Sequence, residues 1–405
     1  MDIATQAVIG VLFALLLPKR PATRWCIPFF MLACAAPDLD ILFCADAMNF
    51  VQLHRGISHS IFAAPLIAFL FALLAYPLWR RSTPDHLSLP TTWLYFLPCL
   101  YLHLLLDCMT SLGARILLPF SDVRVHADAL YLVDPFLTVP MLLLAVCGFF
   151  ARKRQLLASI GLIYALLYPC LCFCLNQYNA AVLEEKLADE GKNVSEITIL
   201  PDFLSPFYWR AVYRETYDDK CVALCEQSLG GLGRQRGKAA AYTVFPPELV
   251  LHLAANSERC CSFIDLLENP IALPMSESDL KAARISLSFL PKKDFAHSEK
   301  ECVINFAPVQ HDNHPSSNVK DYTCDGLKFL ILTDLRFGSG LVLGRELLKI
   351  FTSSGNPYKM MLVLDKDDNI ILERMAFGNP FKGTGWSKPK QPEPQTFAKW
   401  LMGTK

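Results

Sequence analysis

Apolar runs separated by short polar or basic breaks fill the first part of the chain: Ile3–Leu17, Cys26–Phe43, Ile57–Trp79, Trp93–Leu118, Val133–Phe150 and Leu156–Leu175. A helix crossing a bilayer needs about 20 mostly apolar residues, fewer where protein covers it. The third run and the last two meet that directly. The first is short, and the second and fourth are interrupted by Asp38, Asp40, His103 and Asp107. Charge facing lipid is expensive, so the interrupted helices are expected to turn those residues towards the bundle interior. The opening run lacks a basic stretch before it and is followed by Pro18-Lys19-Arg20, so it is expected to be a membrane element rather than a cleaved signal.

The pattern changes near Asn179. Ala180–Gly191 reads as a polar helix, a candidate stalk. Beyond it, strand-like segments dominate: Arg284–Leu290, Cys302–Phe306, Gly326–Thr333, Tyr358–Leu364 and Ile370–Arg374, the last two flanking a polar turn at Asp365–Asn369. Glu248–Ala255 and Gly344–Thr352 read as short helices, and Gly383–Pro394 as loosely ordered chain. The expected fold is therefore mainly α. A polytopic bundle of about five to six transmembrane spans occupies residues 1–178, a stalk and connecting segment 179–215, and a soluble, strand-rich α+β domain 216–405.

Composition sharpens this division. The 405 residues are 53% hydrophobic, and the mean hydropathy is +0.31. No Glu precedes Glu184, whereas charges mix freely behind it. The formal net charge is zero, which gives no electrostatic case for nucleic-acid binding. Nine of the fifteen Cys lie before Asn179, where buried Cys packs as a small hydrophobe. The other six form no CxxC pair, so they predict no zinc ribbon. Basic clusters orient the bundle: Lys19, Arg20 and Arg24, then Arg80 and Arg81, then Arg152, Lys153 and Arg154. Placing all three in the cytoplasm puts the His54 loop, the 121–134 loop and the C-terminal domain on the outer, periplasmic face, although Arg115 and Arg124 then also lie outside.

Three groups carry the candidate chemistry. Pro37-Asp38-Leu39-Asp40 places two acids in an apolar run. His54-Arg55-Gly56-Ile57-Ser58-His59-Ser60 precedes the third run. His103 and Asp107 stand four residues apart, on one face of a helix. Unpaired carboxylates in a hydrocarbon layer cost several kcal/mol each, roughly, and a divalent cation offsets that cost. Asp38, Asp40, His54, His59, His103 and Asp107 are thus candidate ligands for one or two divalent ions, zinc or manganese by donor type. Arg55 and Ser58 are candidate catalytic groups, with Arg55 placed to hold an anionic substrate. Bland readings stand beside these. Asp38 and Asp40 would equally cap a helix or pair with Arg55, a lone buried His is commonly a satisfied core residue, and Ser58, Ser60, Thr110 and Ser111 would each bond the preceding helical turn. No Gly-x-Ser-x-Gly elbow or His-Glu-x-x-His motif is present, which argues against the commonest serine hydrolases and metalloproteases.

These three groups, with Thr110-Ser111-Leu112-Gly113 and Pro119-Phe120 behind them, resemble the YdjM-like family of bacterial inner-membrane proteins, described as metal-dependent hydrolases. The resemblance covers about residues 1–215, including the 201–209 stretch that ends in Trp209, and returns at Thr333-Asp334-Leu335-Arg336-Phe337. It implies a multi-helix membrane domain and hydrolytic activity. The expectation is a membrane-embedded hydrolase of the inner membrane, acting on an ester or phosphoester, lipid-linked in one version, with membrane lipids as its surroundings. An ion-coupled transporter and a non-catalytic anchor presenting the C-terminal domain to a protein partner are the alternatives.

Overall fold

A computed structural model of the chain describes residues 1–17, 25–44, 53–81, 88–217, 221–243, 247–264, 270–274, 323–324, 327–334, 359–365, 367–377 and 385–386. The first helix, α1 (Ile3–Leu16), starts where the Asp2 carboxylate accepts from the Thr5 amide at 2.9 Å, satisfying one orphan donor. Helix α2 (Cys26–Ala35) packs along it. Gly10 makes the approach possible, since a Cβ there would stand 2.4 Å from the Phe30 carbonyl oxygen. Pro37 cannot continue α2, and the chain bends by 68° into a tight turn over Pro37–Phe43. That bend carries Asp38 into the interior instead of along the helix surface.

A second tight turn, Ile57–His59, leads to α3 (Ala63–Arg80). Helix α4 (Leu89–Cys108) begins at a Ser88 cap, and α5 (Pro135–Phe150) at Asp134, whose carboxylate accepts from the Phe136 and Leu137 amides. The 36-residue α6 (Arg154–Asp189) completes the bundle and continues well beyond it.

Three of these helices, α3, α4 and α6, are long and apolar enough to cross a membrane, or four if α2 and its bent turn count as one broken span. Among the described residues, three or four candidate spans thus stand for the expected five to six. Helices α1 and α5 have 14 and 16 residues, about 21 and 24 Å at 1.5 Å each, short of a roughly 30 Å hydrocarbon layer.

Behind α6 lies a four-stranded antiparallel meander, β1 (Val194–Pro201), β2 (Tyr208–Tyr217), β3 (Cys221–Gly230) and β4 (Gln235–Thr243), in that order. It is not separate from the bundle. Leu183 and Leu187 of α6 share one hydrophobic core with Ile199, Trp209, Tyr213 and Leu229 of the sheet. Asn176 donates to the Ile199 carbonyl at 2.6 Å, which pins β1 to the helix. Two short helices follow, α7 (Pro247–Asn256) and α8 (Glu258–Ile264). They cover a second antiparallel sheet of β5 (Pro270–Pro274), β7 (Leu327–Asp334), β8 (Lys359–Leu364), β9 (Ile370–Phe377) and β10 (Gly385–Trp386), with β6 (Thr323–Cys324) paired to β7.

The strands expected at Gly326–Thr333, Tyr358–Leu364 and Ile370–Arg374 are β7, β8 and β9 to within a few residues. The turn between the last two closes through Asp365, whose Oδ1 accepts from the Asp367 and Asn369 amides. The strands expected at Arg284–Leu290 and Cys302–Phe306 and the helix at Gly344–Thr352 lie outside the described residues.

Replacing Gly10 with Ala forces α1 and α2 apart at their closest point. The expected result is destabilisation by about 1–3 kcal/mol, the usual range for overpacking, read as a lower thermal midpoint of the detergent-solubilised protein.

Candidate metal centre

The bend after α2, the turn before α3 and the last two turns of α4 meet at one end of the bundle. Asp38 comes from the first, His59 from the second, His103 and Asp107 from the third. All four side chains are buried, and one donor atom from each lies within 4.8 Å of the others. His59 Nε2 stands 3.2 Å from Asp38 Oδ1, 3.1 Å from Asp107 Oδ2 and 3.3 Å from His103 Nε2. His103 Nε2 is 3.5 Å from Asp107 Oδ2 and 3.9 Å from Asp38 Oδ1.

The outward-facing nitrogens fix what the inward ones present. His103 Nδ1 lies 2.7 Å from the Cys34 carbonyl oxygen, which only accepts, so Nδ1 bears a hydrogen and the ring turns Nε2 inward. Ser58 Oγ donates to Asp40 Oδ2 at 2.7 Å and lies 3.0 Å from His59 Nδ1. The Ser58 oxygen therefore accepts from Nδ1–H, which leaves Nε2 of His59 facing the Asp38 and Asp107 carboxylates. Two imidazole Nε2 atoms then converge with two carboxylates in a water-poor interior.

The arrangement fits a cation. Asp38 Oδ2 is buried without a hydrogen-bond partner, and Asp107 Oδ2 makes none despite its nearness to His59. Donors 2.0–2.2 Å from a zinc-sized ion stand roughly 3.3–3.6 Å apart around a tetrahedron; most of the spacings above lie close to that range. Asp107 has cationic partners within the chain as well: Arg55 Nη2 lies 3.3 Å from its Oδ1, and the Met1 amino group touches the same oxygen.

The remaining expected residues stand around this set rather than in it. Asp40 Oδ1 pairs with His54 Nδ1 at 2.8 Å, and its Oδ2 accepts from the Arg55 amide at 3.1 Å as well as from Ser58. Asp40 thus braces His59 from behind, as carboxylates brace metal-binding imidazoles. Arg55 is buried, and its guanidinium reaches inward to Thr110 Oγ1 at 2.8 Å and the Gly113 carbonyl at 3.1 Å. Its backbone takes φ +57°, in the left-handed region unusual for an L side chain. Both its amide, on Asp40, and its carbonyl, which accepts from the Arg115 amide at 3.1 Å, hold that conformation.

Sequence reasoning gives Thr110 only a local role and leaves the Cys34 carbonyl out. Thr110 follows Asp107 by three residues, a spacing that suits helical back-bonding; its hydroxyl does bond the Asp107 carbonyl at 2.8 Å, while also accepting from Arg55. A backbone carbonyl such as that of Cys34 leaves no trace in residue type. In the C-terminal part, burial and then the Glu373 carboxylate push the Cys260 thiol up to about 12, which makes it a poor nucleophile at neutral pH.

The match to known families falls on this same region. Residues 1–181 match the YdjM inner membrane protein family. All four clustered donors and their supports lie within that span, so the resemblance carried by the Asp/His motifs is upheld at family level. No curated protein and no solved structure matches the chain.

Arg55→Ala removes the buried guanidinium beside Asp107. It is expected to destabilise the fold by about 3–5 kcal/mol, as when a buried pair is broken by deleting one partner, and thermal unfolding in detergent checks this.

Proposed function

We propose that the chain is a membrane-embedded, metal-dependent hydrolase acting on an ester or phosphoester at the bilayer surface. The observation that carries the reading is the convergence of one donor atom each from buried Asp38, His59, His103 and Asp107, with an unpartnered carboxylate oxygen on Asp38. These four would hold one divalent ion of the zinc or manganese class. Such an ion, when bound, polarises a substrate oxygen and makes bound water a nucleophile near neutral pH.

The chain's other residues set up that centre. Asp40 and Ser58 keep the His59 ring in one tautomer, and His54 holds Asp40. Arg55 acts on Asp107 and the Thr110–Gly113 loop, so it is a positioning residue rather than a clamp for substrate. Ser58, bonded to Asp40 and beside His59 Nδ1, serves the same purpose. The C-terminal part takes a covering role: Leu112, in the loop gripped by Arg55, packs against the core of the second sheet. The basic clusters behind the first, third and fifth apolar runs favour the periplasmic side for this face.

Elemental analysis of the purified wild type is expected to find stoichiometric zinc or manganese, with little in His59→Ala or Asp107→Ala. Asp40→Asn is expected to keep the site but weaken metal affinity by roughly 10–100-fold. Well-folded wild-type protein without a transition metal sinks the hydrolase reading and leaves a non-catalytic anchor. Alkaline phosphatase fused after Leu175 is expected to be active; activity only from a reporter that works in the cytoplasm reverses the orientation.

A further inference from the structure

The protein surface beside the centre is greasy where a water-facing active site would be polar. Asp40 and His54 form the outer edge of the polar network. Three chain segments surround them and are tied together. The 37–43 turn is held by the bonds of Asp40 to His54, Arg55 and Ser58. The 53–62 segment is stitched to the next one by the Ile61 amide on the Ile116 carbonyl, by Ser60 on the Leu118 carbonyl, and by the Phe62–Phe120 ring pair at 5.0 Å. The third is a projecting loop, residues 115–124, closed at its base by the paired Ala114 and Val125 backbones.

Each segment carries exposed apolar side chains. Phe43 is 79% exposed, Ile57 58%, Phe120 79% and Val123 63%. Apolar patches of this kind on a protein surface mark contact with another apolar phase. Its identity follows from continuity. Phe62, which touches Phe120, is the residue before α3, a candidate span whose Leu66, Leu70 and Leu74 are exposed in the same way. A lipid layer covering α3 would continue over this rim without a break.

We infer that the substrate is a membrane lipid with an ester or phosphoester headgroup, reaching the centre sideways from the bilayer between the 37–43 turn and the 115–124 loop. This rests on the hydrolase reading for the chemistry, whereas the apolar rim is a separate observation. A water-soluble phosphoester would have to cross Phe43, Ile57 and Phe120. A lipid keeps its chains in the hydrocarbon and offers only its head to the Asp40–His54 edge.

The test uses full-length protein in nanodiscs containing phosphatidic acid with a diazirine on one acyl chain. Cross-links are expected in the 41–44, 53–62 and 115–124 segments. Phe43→Ser/Phe120→Ser/Val123→Ser is expected to lower them at least tenfold, since withdrawing even one large apolar side chain from the lipid accounts for about tenfold, with metal content unchanged. Excess glycerol 3-phosphate, the headgroup without chains, should leave the labelling as it was. Labelling confined to the flanks of α3 and α6, or abolished by glycerol 3-phosphate, overturns the inference. If the triple variant loses its metal, Val123→Ser alone, at the loop tip, decides by the same labelling measurement. Absence of metal in labelled wild type defeats the hydrolase reading alone.

Discussion

Two carboxylates and two imidazoles share a dry pocket at one end of the bundle, and the mutual repulsion of the carboxylates is the constraint on which the local structure depends. Asp38 and Asp107 cannot both remain charged there without compensation, since burial removes the water that would solvate them. The surrounding architecture supplies positive charge and directed hydrogen bonds. Arg55 lies against Asp107 from a strained backbone, and the Cys34 carbonyl and Ser58 take the outer nitrogens of the two rings. What remains inside is a ring of acceptors suited to a cation.

This explains features that otherwise look like defects in a membrane helix. The Pro37 break interrupts α2 where a straight helix would send Asp38 towards lipid or α1. The His54–Ser60 segment forms no regular span, because its backbone is used to hold Asp40 and to seat His59. Non-helical chain near a membrane is tolerated where protein satisfies its polar groups, and here the Arg55 amide, the Ile61 amide and the Ser60 hydroxyl donate to Asp40, Ile116 and Leu118.

The pairing of His103 with Asp107 was legible from their spacing alone, and the participation of Asp38 and His59 from the cost of charge in apolar runs. The division of labour within the set was not. Asp38 and Asp40 differ by two positions, and only the tight turn decides that one faces inward and the other reaches back to His54. Arg55 has the chemistry of an anion clamp, yet its left-handed backbone and burial direct it to Asp107. In the fold, the apolar runs located every described helix of the bundle, but not that the second run breaks at Pro37 and bends by 68°. The late strands were legible from their β-branched and apolar content. The meander of β1–β4 was not, since Tyr208–Tyr217 carries two arginines and a glutamate, of which Arg210 and Glu215 are buried.

The unbroken α6 has a consequence for how such a chain tolerates change. At 36 residues it is about 54 Å long, far more than a bilayer needs, and Asn176, Asn179, Leu183 and Leu187 form one stripe that locks onto the meander. A single residue inserted above the membrane would rotate that stripe by about 100° and detach the sheet from it. Two full turns, about seven residues, would restore the phase but lift the sheet by roughly 10 Å. Length variation in this stretch is therefore phased by the helical repeat, and the strand-rich part is geared to the bundle like a key on a shaft.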